Sequence, residues 1–284
     1  GWQQVNTWGR MIAPDCEPVW LQAAPWSPPT NGTITGEVVY ISISDVKDLD
    51  KYKGQLKGKI VLFGAIRTTP DLDTPLFRRY TDEQLKEMET YQAAQNVAGT
   101  PQPNVQQLLA ERARLTAIRT AALKMMAEEG VVAIITPSRD GRNGGGTGII
   151  FDDNGVNLVR GAQTRETAVT VPNAVMMIEH YNRIARLLEH KVPVTLEVNI
   201  ETKFTGDHEH GFDTVAEIPG TDPKLKDQVV MVGGHLDSWI SGTGATDNAA
   251  GSVVAMEAVR ILRSLGIKPK RTIRIALWSG EEQG

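Results

Sequence analysis

The tightest constraint on what this chain can fold into is the grammar of its C-terminal part. Apolar runs bounded by turns lie at Thr214–Ile218, Gln228–Gly233 and Arg271–Trp278, and a helical stretch from about Asn248 to Leu265 separates the last two. Strands alternating with a helix imply a mainly parallel sheet covered by helices, an α/β architecture. Open sheets of this kind place their chemistry beyond the carboxyl ends of the strands. The polar and ionisable residues of this region gather there.

The run Val229–Val232 leads into Gly233-Gly-His235-Leu-Asp237-Ser. An imidazole at a strand end, with a carboxylate two residues on, has the parts of a metal ligand and of the group that accepts its other ring N–H and fixes its tautomer. A surface histidine beside an aspartate would read the same way. Asp247 stands just before the helix, followed by Asn248-Ala-Ala-Gly-Ser252. Asp is a favoured N-cap and needs no metal to explain it, but the small side chains at 249–252 let the helix backbone approach something closely. The third strand ends in Trp278-Ser-Gly-Glu281-Glu282. Adjacent carboxylates repel unless a cation or a shared proton separates their roles. One histidine and several carboxylates at three strand ends suit a hard-to-borderline divalent metal such as zinc.

The strings Gly233-Gly-His-Leu-Asp-Ser-Trp239, Gly244-Ala-Thr-Asp-Asn-Ala-Ala-Gly251 and Trp278-Ser-Gly-Glu-Glu-Gln-Gly284, in that order, resemble the co-catalytic zinc exopeptidase family, which includes bacterial leucyl aminopeptidases and glutamate carboxypeptidases. They are most similar to its plasma glutamate carboxypeptidase branch. The resemblance implies two zinc ions. His235 would bind one, Asp247 would bridge both and Glu282 would bind the second. Glu281 would be the general base for the bridging water, and Asp237 would orient His235. It also implies a cis peptide bond between Asp247 and Asn248, with Ala249, Ala250 and Gly251 supplying the lack of bulk. In this family each metal takes one more ligand, an acidic residue and a histidine, both downstream of the Glu-Glu pair. By resemblance the chain is therefore an internal fragment, expected to bind zinc weakly and to hydrolyse no peptide as it stands. The expected substrates of the complete enzyme are peptides or dipeptides cut at a terminal bond, and its expected setting is secreted or periplasmic. His208 and His210, upstream in a polar stretch, read as exposed loop.

The rest of the chain reads as a second, inserted domain. Residues 1–35 carry Trp2, Trp8, Trp20 and Trp26, end in Ser27-Pro-Pro-Thr-Asn-Gly32, and read as an irregular connector belonging to the catalytic region. From Gly36 the pattern turns to β type, with strands at Glu37–Ile43, Lys59–Gly64, Val131–Thr136, Ala168–Pro172 and Val194–Ile200. Between them, Leu85, Met88, Leu108, Leu109, Leu115, Ile118, Ala122 and Met125 recur at helical spacing, which predicts core-facing amphipathic helices broken near Gly99–Pro103; a further helix is predicted at Ile178–His190. The resemblance makes residues 36–205 a β-rich α+β protease-associated domain and residues 206–284 part of the catalytic domain.

Composition excludes other classes. The 284 residues carry 30 Lys+Arg against 34 Asp+Glu with no basic cluster, so nucleic acid is not the expected partner. No apolar run reaches the ~20 residues of a membrane span, and the single Cys16 allows no internal disulfide. Gly144-Gly-Gly146 lacks the following helix that a phosphate cradle needs. The Gly242–Gly251 loop lacks the nucleotide-binding fingerprint. A non-catalytic receptor built on the same scaffold is the remaining alternative, and it would be expected to have lost metal ligands that this chain retains.

Overall fold

A computed structural model describes residues 1–67, 79–89, 105–138, 150, 170–206, 210–239 and 242–283. The chain divides into two compact units, Trp2–Phe204 and Thr205–Gly284, the latter joined by Gly1.

In the first unit, eight strands form one mixed sheet: β1 (Trp2–Ala13), β2 (Glu17–Val19), β3 (Leu21–Ala23), β4 (Ile34–Ile41), β5 (Ile60–Phe63), β6 (Ala133–Pro137), β7 (Asn173–Met176) and β8 (Thr195–Phe204). Their order is β2-β1-β8-β4-β5-β6-β7-β3. The run β4 to β7 is parallel, whereas β1, β8 and β3 pair antiparallel with their neighbours. Only Trp20 separates β2 from β3, so the two outer edges meet in one stretch of chain and the sheet curls closed upon itself.

Parallel strands are covered on both faces and so read as continuous apolar runs. In β5, Ile60 and Leu62 enter one core with Tyr181, Ile184 and Ala185 of helix α3 (Ile178–Glu189). Val61 and Phe63 enter a second core with Ala122, Met125 and Met126 of helix α2 (Val105–Glu129). The buried Tyr181 donates its hydroxyl to the Gly64 carbonyl at 2.7 Å, and Asn182 holds both backbone groups of Arg67.

Three expectations need correction here. Residues 1–35 are not irregular: β1 pairs with β8 from Trp2↔Phe204 to Ala13↔Thr195, with irregularities at Gln4/Asn6 and Met11/Ala13, although Gln3, Gln4, Asn6 and Thr7 read as connector. Of the strand expected at 168–172, residues 168 and 169 lie outside the described residues, and 170–172 are not strand: β7 begins only at Asn173, after Pro172, which has no N–H to give to a ladder. Leu108, Leu109 and Leu115 of α2, and Leu85 and Met88 of α1 (Asp82–Met88), are exposed rather than core-facing; only Ile118, Ala122 and Met125 of that periodic set reach the core. The breaker at Gly99–Pro103 and the Gly144–Gly146 loop lie outside the described residues.

The second unit holds β9 (Thr214–Ile218), β10 (Val229–His235), β11 (Thr272–Trp278) and helix α4 (Gly251–Ser264). Strand order is β10-β11-β9, with β10 and β11 parallel and β9 antiparallel to β11, so this sheet is mixed rather than mainly parallel. Ala255 of α4 packs on Ile275 and Leu277 of β11 in a small core, with Val232 and Val259 against it. The register sets His235 beside Trp278, which brings the carboxyl ends of β10 and β11 level. Among the described residues, no helix is long and apolar enough to cross a membrane.

Candidate metal centre

His235 is the last residue of β10 and is buried, while its imidazole faces a group of carboxylates. Its Nε2 lies 3.0 Å from Asp247 Oδ1 and 3.9 Å from Glu281 Oε2. Single donor atoms of His235, Glu281 and Glu282 all fall within 4.8 Å of one another. The structure thus brings together the four residues that the sequence singles out as ligands or base, and Asp237, expected to orient the histidine, touches three of them.

The local backbone explains the convergence. Gly233 and Gly234 let β10 run close to its neighbours: a Cβ at Gly233 would collide with the Ala276 carbonyl and lie 2.6 Å from the Trp278 ring. At Gly234 a Cβ would stand 3.0 Å from Ser252 Oγ. Here the small residues 249–252 do bring the helix start against a strand end. The buried Ser252 seals that contact by donating its hydroxyl to the His235 carbonyl at 2.9 Å, a role visible only once strand and helix are packed.

Asp247 does not act as a helix cap. The residues around it, Ala245–Ala250, form a wide turn in which Asp247 and Asn248 have non-helical dihedrals, and the Asp247–Asn248 peptide bond is cis. Asn248 performs the local task, its Oδ1 accepting the Gly251 N–H at 3.1 Å. The Asp247 carboxylate is left pointing at His235, with 76% of its side chain still accessible.

After β11, Glu281–Gln283 form a 3₁₀ turn. Asp237 binds its start: Oδ1 accepts the Glu281 N–H at 3.3 Å and Oδ2 the Glu282 N–H at 3.0 Å. His235 Nδ1 lies 2.9 Å from the Asp237 backbone carbonyl and 3.4 Å from its Oδ1. Of the two upstream histidines, His210 is in an exposed loop, and His208 lies outside the described residues.

The electrostatics follow from this crowding. Loss of hydration pulls the His235 pKa down, but its bond to the Asp237 carbonyl and the charges of Glu281, Asp247 and Asp237 outweigh that, leaving it above the ordinary 6.5. Burial would raise Asp237, yet the backbone N–H groups from Gly280 to Glu282 and its own hold it below 3.8. Glu282 is raised, first by burial and then by the negative charges of Asp247 and Glu281. A divalent cation would relieve that repulsion. One imidazole and three carboxylates are a donor set that zinc accepts, and two donors about 2.0 Å from one zinc in a tetrahedron stand roughly 3.3 Å apart, close to the His235–Asp247 separation.

The sequence profile described as Peptidase family M28 matches residues 213–284. Carboxypeptidase Q of Homo sapiens is 40% identical over 114 residues, covering 40% of this chain and 24% of that protein. Leupeptin-inactivating enzyme 1 of Streptomyces exfoliatus is 37% identical over 81 residues, 28% of this chain and 18% of that protein. The chain therefore aligns with about a quarter or less of these relatives' length. The structure resembles that of a Peptidase M28 precursor from Shewanella amazonensis with a TM-score of 0.61 and 22% identity, covering 100% of this chain and 53% of the other. A zinc aminopeptidase from Bacillus subtilis gives 0.53 and 17%, with 100% and 51% covered. These structural likenesses concern fold. In sequence, the likeness to peptidase family M28 is carried by residues 213–284 of this chain.

Proposed function

We propose that the chain contributes the metal-binding part of a zinc-dependent exopeptidase that removes terminal residues from peptides or splits dipeptides. The observation that carries this reading is the meeting of His235, Asp247, Glu281 and Glu282 at one sheet edge, although the outermost two, His235 and Glu282, are 47 positions apart in sequence. The names of the similar proteins, a carboxypeptidase and a zinc aminopeptidase, agree with it.

His235, Asp247 and Glu282 would hold metal, with Asp247, the most accessible of the carboxylates, placed to be shared by two ions. Bound zinc would polarise the scissile carbonyl and lower the pKa of the attacking water. Glu281 is then the carboxylate free to take that water's proton and deliver it to the leaving amine. The unit Trp2–Phe204 is read as the inserted protease-associated domain; its strands start at Trp2 rather than Gly36 because β1 completes the sheet against β8.

The test uses the full-length gene product: zinc content by mass spectrometry, and hydrolysis of a dipeptide panel with blocked and free termini. Zinc-dependent release of free amino acids from unblocked substrates supports the reading. Zinc-free protein with no hydrolysis, or internal cleavage of long peptides alone, contradicts it.

A further inference from the structure

We propose that Asp237 is a positioning residue for the acid pair: its carboxylate fixes the backbone of Glu281 and Glu282, so the loop after β10 sets the turn after β11. This rests on reading the site as a metal centre and assigns Asp237 a task beyond orienting His235. Each Asp237 oxygen accepts one N–H, Glu281 at 3.3 Å and Glu282 at 3.0 Å, from residues 44 and 45 positions away. The shortest contact of His235 Nδ1 is instead with the Asp237 main-chain carbonyl, at 2.9 Å against 3.4 Å to the carboxylate. A main-chain acceptor survives any substitution of the side chain, so the imidazole keeps its nearest partner when the carboxylate is altered. The turn has no such substitute.

The chemical need is specific to adjacent carboxylates. The first N–H groups of a helical turn have no partner within it, and an anion that accepts two of them makes charge-assisted bonds roughly twice as strong as neutral ones. With both backbone positions held, neighbouring Glu281 and Glu282 side chains can be directed to different tasks, one to a metal and one to a proton. Without the brace, either carboxylate could take either place, and their repulsion would favour spreading apart.

The experiment compares the wild-type full-length gene product with its Asp237→Asn variant, which keeps the shape but replaces one acceptor oxygen by a donor. Amide hydrogen exchange by NMR is read at Glu281 and Glu282, and Zn²⁺ binding by calorimetry. In wild type both amides should exchange at least about tenfold more slowly than unprotected ones. In the variant at least one should lose that protection, with Ile275 and Leu277 unchanged, and zinc affinity should fall about 10–100-fold, the usual loss for a group behind the ligands. Unprotected Glu281 and Glu282 amides in wild type overturn the brace, and this measurement does not depend on the variant folding. Unchanged amides in a folded Asp237→Asn overturn it as well. If wild type takes up no zinc while the amides behave as described, the metal reading fails and the brace stands.

Discussion

Asp247 and Asn248 divide two tasks that their sequence leaves merged. An aspartate before a helix suggests a cap, yet the cap bond comes from Asn248 and the Asp247 carboxylate turns to His235 at 3.0 Å. The proposed function divides Glu281 and Glu282 in the same way, and substitution should separate them. In the full-length gene product, Glu281→Gln should keep its zinc while turnover falls about 10²–10⁴-fold, the usual contribution of a general base. Glu282→Gln should instead lose zinc affinity by more than about tenfold, as expected when a ligand's charge is removed. Zinc content measured beside turnover on both variants checks the assignment; the same defect in both would remove the distinction.

At the scale of elements, β10 depends on glycine where no side chain fits. Gly233→Ala would drive a Cβ into the Ala276 carbonyl, backbone that cannot swing aside. Overpacking of this kind costs about 1–3 kcal/mol or more. Amide protection along β10 and β11 should fall accordingly, and an unchanged pattern would mean that the strands can separate cheaply. In the other unit, the 3₁₀ turn Val46–Tyr52 is fastened by Asp48, which accepts from Lys51 Nζ at 2.8 Å and from the Ser44 and Asp45 N–H groups. These bonds, the Lys51 bond foremost, lower its pKa from 3.8 to about 2. A depressed carboxylate stabilises the fold above its unfolded pKa and loses that contribution as pH falls through the folded value. The gap in melting temperature between wild type and Asp48→Asn should therefore be full at pH 5 and close between about pH 4 and 2. A gap independent of pH would show that the charge is not what matters.

Elements and site were unequally legible. The β10, α4 and β11 segments announce themselves because apolar runs of strand and helix period are bounded by turn residues. The candidate ligands His235 and Glu282 stand at or just beyond strand ends, where position alone hints at function. Strand β1 was hidden because Gln3, Gln4, Asn6 and Thr7 look like connector, and its partner β8 lies almost the whole first unit away in sequence. The exposed Leu108, Leu109 and Leu115 misled in the opposite sense, since helical spacing cannot tell a core from a bare face. Ser252 and the turn-binding role of Asp237 were invisible, because each depends on hydrogen bonds between elements that only tertiary packing brings together.

For the whole molecule, the proposed activity depends on one feature, a zinc centre that β10, the turn before α4 and the end of β11 would assemble. Its most direct test is X-ray absorption at the zinc edge, with zinc titration, on the full-length gene product and four variants. The prediction is bound zinc with an imidazole and carboxylate oxygens in its coordination shell, and affinity lowered more than about tenfold in His235→Ala, Asp247→Ala and Glu282→Ala, but retained in Glu281→Gln. Zinc held with unchanged affinity and spectrum by the His235, Asp247 and Glu282 variants would place the metal elsewhere and contradict the account.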